Sequence, residues 1–173
     1  LTIVGNLPYN VASPMIWEMV SRCRSWKTML FMVQKEVALR LTSQAGSRVY
    51  GALSAWVGNF VRAEYVFTVP PHVFTPRPKI DSAIVRFSPR PDPALDERED
   101  LSRLLRILFQ QRRKQLGTIL RDRWTDAVER WCLEVGVDRR VRPEELGPDM
   151  LRALCPLVGP EKIGRRDPES ART

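Results

Sequence analysis

In the first half of the chain the apolar positions switch repeatedly between two kinds of run. Leu1–Val4 is a short continuous apolar stretch ended by Gly5, the signature of a buried strand. Ser13-Pro14 then opens a helix, with Ser13 as the cap and Pro14 in the first helical position, and Ile16, Trp17 and Val20 fall at helical spacing. Lys27–Val33 is a second apolar strand, and Gln34–Leu41 returns to a helical pattern. Ala45-Gly46-Ser47 reads as a loop, Tyr50–Val57 as a short helix and Phe60–Val69 as a β-rich strand. Strand and helix in this alternation predict an α/β sheet with crossover helices, its strands parallel and covered on both faces.

The pattern then breaks. Four prolines between Val69 and Lys79 forbid helix and central strand, so this stretch is predicted to be a stiff extended loop carrying Phe74, Arg77 and Lys79. Ile80–Phe87 reads as a last strand, hairpin-related to the one before, and residues 88–93 as a linker. Everything after it is helical. Leu101, Leu104, Leu105, Leu108 and Phe109 form one stripe, continued by a polar, basic end over Gln110–Gln115 and weakened or ended at Gly117. Thr125 or Asp126 caps a helix closed by Gly136, and a last helix starts at Gly147-Pro148-Asp149 and stops at Pro156. The predicted organisation is therefore an α/β unit over 1–91, an all-α unit over 92–158 and a disordered tail over 159–173.

Composition adds three constraints. With 173 residues and 43% hydrophobic, the chain can bury a real core, and it has no apolar run near the ~20 residues of a membrane span. Cys23, Cys132 and Cys155 are far apart and accompanied by one histidine, His72, which argues against a zinc site or a disulfide framework and for a reducing, cytoplasmic setting. The net charge of +8 is uneven: residues 1–91 carry 11 Lys+Arg against 4 Asp+Glu, and residues 92–173 carry 17 against 16. The first half has the field that attracts polyanions. The first residue is not Met and Leu1 already sits in a strand pattern, which predicts a fragment without its N-terminal part.

Asn6-Leu7-Pro8-Tyr9 lies at the carboxyl end of the first strand, where open α/β sheets bind ligands. An amide, a carbonyl fixed by proline and a flat ring together suit a nucleobase. The exocyclic amine of adenine is a poor nucleophile because its lone pair is delocalised into the ring. Accepting its two N–H groups on the Asn6 amide oxygen and the Leu7 carbonyl would bend it toward tetrahedral geometry, and Tyr9 can stack on the base for ~1–3 kcal/mol. Attack on a methyl sulfonium would then need positioning more than acid–base groups. On its own, the motif equally suits a strand-end turn in which Asn6 satisfies backbone groups and Tyr9 covers the core. Phe74 could likewise plug the core, and Arg112, Arg113 and Lys114 could simply end a helix in solvent.

Taken in order, the motifs resemble those of the rRNA adenine N6-dimethyltransferases. Asn6-Leu7-Pro8-Tyr9-Asn10 is similar to the family's catalytic motif, Gln34–Ala38 with Arg40-Leu41 to its next motif, and Phe74–Ala83 to its Pro-rich loop and strand. Phe109–Lys114 resembles the Phe-x-Gln-Arg-Arg-Lys helix of the small-subunit branch, named in bacteria for kasugamycin sensitivity. The resemblance runs from Leu1 to about Leu154. It implies the later half of a Rossmann-like S-adenosylmethionine methyltransferase sheet followed by a small helical domain. The implied reaction is dimethylation of two adjacent adenosines in the 3′-terminal hairpin loop of 16S rRNA, by a cytoplasmic monomer without metal acting on a pre-30S particle. It implies that Asn6 meets both the target amine and the methionine end of S-adenosylmethionine, that Tyr9 and Phe74 sandwich the adenine, and that Arg77, Lys79, Arg112, Arg113 and Lys114 touch RNA. No Gly-x-Gly-x-Gly occurs in the chain, so most of the implied cofactor site lies upstream, and these residues alone are expected to be inactive. Two rivals share the fold: a non-catalytic RNA-binding assembly or transcription factor, against which an intact Asn6, Pro8 and Tyr9 count, and the antibiotic-resistance branch acting on large-subunit rRNA.

Overall fold

The structure, a computed structural model, describes residues 1–158; the tail expected over 159–173 lies outside the described residues. The first half forms β1 (Thr2–Asn6), α1 (Ala12–Arg22), β2 (Thr28–Gln34), α2 (Lys35–Leu41), α3 (Ala52–Phe60), β3 (Val61–Val69) and β4 (Ser82–Pro89). The strands make one sheet in the order β1-β2-β4-β3. β1 and β2 pair in parallel, whereas β4 runs antiparallel to both β2 and β3. The parallel expectation holds for β1 and β2 and the hairpin expectation for β3 and β4; what is corrected is the order, because β4 inserts in reverse between β2 and β3.

The sheet also differs from the expectation of cover on both faces. Along β2 burial alternates strictly. Met29, Phe31 and Val33 join Ala83, Val85 and Phe87 of β4 in a core shared with Ile16 of α1 and Trp56 of α3. On the opposite face, among the described residues, Val4 is 73% and Phe67 55% exposed. A continuous apolar run such as Met29–Val33 cannot reveal this, because both faces of the strand are apolar.

After β4 come α4 (Arg98–Gln110), the single turn α5 (Leu116–Ile119), α6 (Asp126–Val135) and α7 (Pro148–Val158). The leucine stripe of α4 is fully buried at Leu101, Leu104, Leu105 and Leu108. Thr125 caps α6 by accepting the Val128 N–H at 3.4 Å, and Gly136 ends the helix with φ 73°. The helices share one hydrophobic core with the sheet. The predicted linker is fastened to it: the Ala94 N–H donates to the Asn59 carbonyl at 3.1 Å, and Arg152 pairs with Asp92 at 2.9 Å and Glu97 at 3.0 Å. Tyr50, buried between the two halves, donates its hydroxyl to the Leu146 carbonyl at 2.9 Å.

Helix ends depart from expectation for identifiable reasons. α1 begins at Ala12, not after Ser13: Val11 is its N-cap without a side-chain bond, and Ser13 and Pro14 both sit in the first turn, where N–H groups need no helical partner. α4 stops at Gln110, and Gly117 lies inside α5 rather than ending α4; its N–H donates to the Arg139 carbonyl at 2.9 Å. Pro156 does not stop α7. It stands in the last turn, where it removes one helical bond, and Val158 beyond it remains buried.

Gly58 marks the closest approach of α3 and α7. A Cβ there would lie 2.5 Å from Cγ of Pro148, a rigid ring at the start of α7. Gly58→Ala is expected to cost about 1–3 kcal/mol through overpacking, despite the better helix propensity of alanine. A urea midpoint equal to that of the wild type would show that α7 can shift freely.

Candidate active site

β1 delivers Asn6 as its last residue, and the Leu7 N–H continues the ladder to the Met32 carbonyl at 3.1 Å. Pro8 then turns the chain into α1, its carbonyl accepting the Val11 N–H at 3.1 Å. The Leu7 side chain is buried and anchors this turn. The Asn6 side chain is exposed, and neither its amide nor the Leu7 carbonyl has a hydrogen bond among the described residues. Tyr9 is half-buried and its hydroxyl lies 2.7 Å from Oγ of Ser82, the first residue of β4.

Opposite this turn runs the loop between β3 and β4. Pro71–Val73 is a 3-10 turn, the Thr75–Pro76 peptide is cis, and Phe74 is half-buried. Together Asn6, Leu7, Pro8, Tyr9, Phe74, Pro76 and Pro78 line a cavity of about 340 Å³. The loop is two-sided: Phe74, Pro76 and Pro78 face the cavity, while Arg77 and Lys79 between and beyond them are exposed and unpaired among the described residues. Lys35 fastens the end of the loop, with its backbone N–H on the Asp81 carbonyl at 3.0 Å and its ammonium 3.1 Å from the Asp81 carboxylate.

Among the described residues, no Asp, Glu, His, Lys or Cys lines the cavity. A lining with two aromatic rings, an amide and a main-chain carbonyl can take up a flat ring bearing N–H groups, and none of the described lining residues is a general base of ordinary kind. The thiols lie elsewhere: burial pushes that of Cys132 up and that of Cys155 to about 12, and Cys23 is only half-buried. Among the described residues no cluster of His, Cys, Asp and Glu suits a metal, and no helix is long and apolar enough to cross a membrane.

The basic run 112–114 does not line this cavity. Arg112 turns inward, donating to the Arg48 carbonyl at 3.1 Å and the Tyr50 carbonyl at 3.3 Å and pairing with Glu144 at 3.1 Å. It braces the end of α4 against the loop before α3, whereas Arg113 and Lys114 are exposed. Three contributions escape a reading of the sequence alone: the cavity-facing Pro76 and Pro78, the Lys35–Asp81 tie, and Ser82. The available signal for Ser82 was its place within the Phe74–Ala83 stretch that resembles the family's loop and strand.

The description "Ribosomal RNA adenine dimethylase" matches residues 1–149, from β1 into α7. The chain belongs to the ribosomal RNA adenine dimethylase family. Membership covers the turn, the Pro-rich loop and most of the helical half. Within the family, the chain is 49% identical over 162 residues to ribosomal RNA small subunit methyltransferase A of Nitratidesulfovibrio vulgaris, covering 93% of this chain and 61% of that protein. The same-named protein of Maridesulfovibrio salexigens is 48% identical over 157 residues, 90% of this chain and 59% of that protein. The chain thus spans about three fifths of the length of these relatives. Among solved structures, a dimethyladenosine transferase from Plasmodium falciparum superposes with TM-score 0.73 at 27% identity, over 88% of this chain and 66% of that one. The 23S rRNA methyltransferase ErmE shares the fold, with TM-score 0.68 at 21% identity over 91% of this chain and 65% of its own. These Rossmann-like neighbours bear out the α/β class of the sheet.

Proposed function

We propose that the gene product carrying this chain dimethylates the N6 amines of two adjacent adenosines in the 3′-terminal hairpin loop of small-subunit rRNA, within a pre-30S particle. The observation that carries this reading is the uncommitted Asn6 amide and Leu7 carbonyl at the floor of a cavity walled by Tyr9 and Phe74. The names of the relatives from Nitratidesulfovibrio vulgaris and Maridesulfovibrio salexigens support the small-subunit assignment.

The mechanism follows from what these groups can do. An adenine extruded from its stack enters between Tyr9 and Phe74. Its amine donates one N–H to the Asn6 amide oxygen and one to the Leu7 carbonyl. These bonds hold the nitrogen lone pair out of conjugation with the ring and aim it along one direction. The rigid turn at Pro8 and the proline-rich wall keep both acceptors in place before the base arrives, so the entropy of alignment is met in advance. S-adenosylmethionine, when bound, supplies the methyl group. Asn6 fits it, being uncommitted and at the carboxyl end of β1, and would face its methionine end. Arg77 and Lys79 at the cavity rim, with Arg113 and Lys114 on the helical half, suit phosphates of the RNA. Arg112 supports that surface by bracing it.

Incubating the gene product with methyl-labelled S-adenosylmethionine and unmodified small-subunit particles should place label on two neighbouring adenosines near the 3′ end. Label confined to large-subunit rRNA would transfer the reading to the resistance branch, and RNA binding without any label would make the protein a non-catalytic factor.

A further inference from the structure

We infer that Ser82 is a positioning residue for the reaction: it sets the orientation of Tyr9 and couples that ring to the Phe74 loop, so that the two aromatic walls of the cavity are held as one piece. The inference rests on the adenine-methylation reading and adds to it a residue that touches neither base nor methyl donor.

Three observations carry it. Ser82 is fully buried, and its hydroxyl has Tyr9 as its partner at 2.7 Å. It is also a junction in the sheet, paired with Gln34 of β2 on one side and Val69 of β3 on the other. Since β2 lies between β1 and β4, the bond ties the turn that follows β1 to a strand that β1 itself does not pair with. Finally, the residue before Ser82 is the end of the Pro-rich loop. Asp81 is held there by Lys35, through its backbone N–H at 3.0 Å and the ion pair at 3.1 Å. With both partners well exposed the ion pair contributes little, and the backbone bond, which prolongs the β2–β4 ladder, does most of the holding.

The same bond therefore has two effects. It fixes the rotation of the Tyr9 ring, and it registers that ring against a loop whose far end carries Phe74. Without it a base could still enter, but the walls would no longer define one plane for it, and the amine would sample positions off the two acceptors. The loss should appear in turnover more than in RNA affinity.

The test is a double-mutant cycle in the gene product carrying this chain: Tyr9→Phe, Ser82→Ala and both together, with kcat and KM for methyl transfer to small-subunit particles and a thermal midpoint for each. Each single variant should lower kcat about ten-fold with KM for RNA within about two-fold, and the double variant should be no worse than Tyr9→Phe. Ser82→Thr, which keeps the hydroxyl, should restore most of the loss. Wild-type kcat in Tyr9→Phe overturns the inference even if Ser82→Ala fails to fold, because that variant removes the same bond without touching β4. Independent losses that multiply to about a hundred-fold in the double variant overturn it as well. A wild-type protein that transfers no methyl to adenosine overturns the parent reading instead.

Discussion

Asn6→Ala is expected to lower methyl transfer to adenosine by about 10²–10³-fold, equivalent to about 2.7–4 kcal/mol of barrier, the loss typical when a preorganised hydrogen-bonding group is removed from a reacting centre. The effect should fall on kcat, because the bonds from the amine strengthen as its nitrogen becomes tetrahedral, whereas stacking and phosphate contacts are the same before and during reaction. The fold should not notice: the side chain is exposed and makes no hydrogen bond among the described residues, so the unfolding midpoint should stay within about 1 °C. Asn6→Asp should retain more activity than Asn6→Ala, since a carboxylate still accepts an N–H. Single-turnover kinetics on small-subunit particles, alongside filter binding of the RNA, separate these terms. Normal turnover in Asn6→Ala would remove the amine-holding role.

Trp56→Ala is expected to cost the fold about 3–5 kcal/mol, the range for deleting a large buried aromatic. Trp56 is 1% exposed and stacks on Trp17 with ring centroids 4.1 Å apart and planes 4° from parallel. It also packs against Phe60 at 4.6 Å, and its indole N–H donates to the Trp17 carbonyl at 2.9 Å. One side chain thus locks α3 to α1, the helix that leaves directly from the Asn6–Tyr9 turn. Against a total of about 5–15 kcal/mol this is about a fifth of the stability or more. At about 2–4 °C per kcal/mol, the thermal midpoint should fall by roughly 6–20 °C. Trp56→Phe, which keeps a ring but not the donor, should cost less, and the orphaned Trp17 carbonyl still receives the Ser21 hydroxyl at 3.0 Å. Calorimetry on the three proteins checks the order. Equal midpoints for alanine and phenylalanine would mean that the stacked ring contributes nothing.

The parts of the fold that were legible in the sequence are those set by neighbours along the chain. The leucine stripe of α4, the Thr125 cap and Gly136 stop of α6, and the strand–turn at Asn6 all depend on residues within a turn or two. The parts that were not legible depend on distant pairing. The hairpin of β3 and β4 was legible, but nothing in Ser82–Pro89 announces that its other edge will pair with β2, because pairing with a distant strand leaves no mark on neighbouring residues. Arg112-Arg113-Lys114 reads as one basic tract, yet Arg112 is captured by Arg48, Tyr50 and Glu144, all more than thirty residues away. That Asn6, Pro8, Tyr9 and Phe74 would line one cavity was legible only through the motifs they sit in, because the residue types alone also suit a strand-end turn and a core plug. The bond from Tyr9 to Ser82 was not, since a motif places the serine in the sequence but does not say which distant hydroxyl it meets.

The two-sided loop from Phe74 to Lys79 has a consequence for how such a site can change. Its cavity side and its solvent side occupy alternate residues of one stiff strip, so substitutions on one side leave the other in place. On the proposed reading, Arg77→Ala or Lys79→Ala is expected to weaken RNA binding and lower its salt dependence while the lining of Phe74, Pro76 and Pro78 stays in place. On that same reading, grip and chemistry can change by separate mutations within six consecutive residues, one side of the strip at a time.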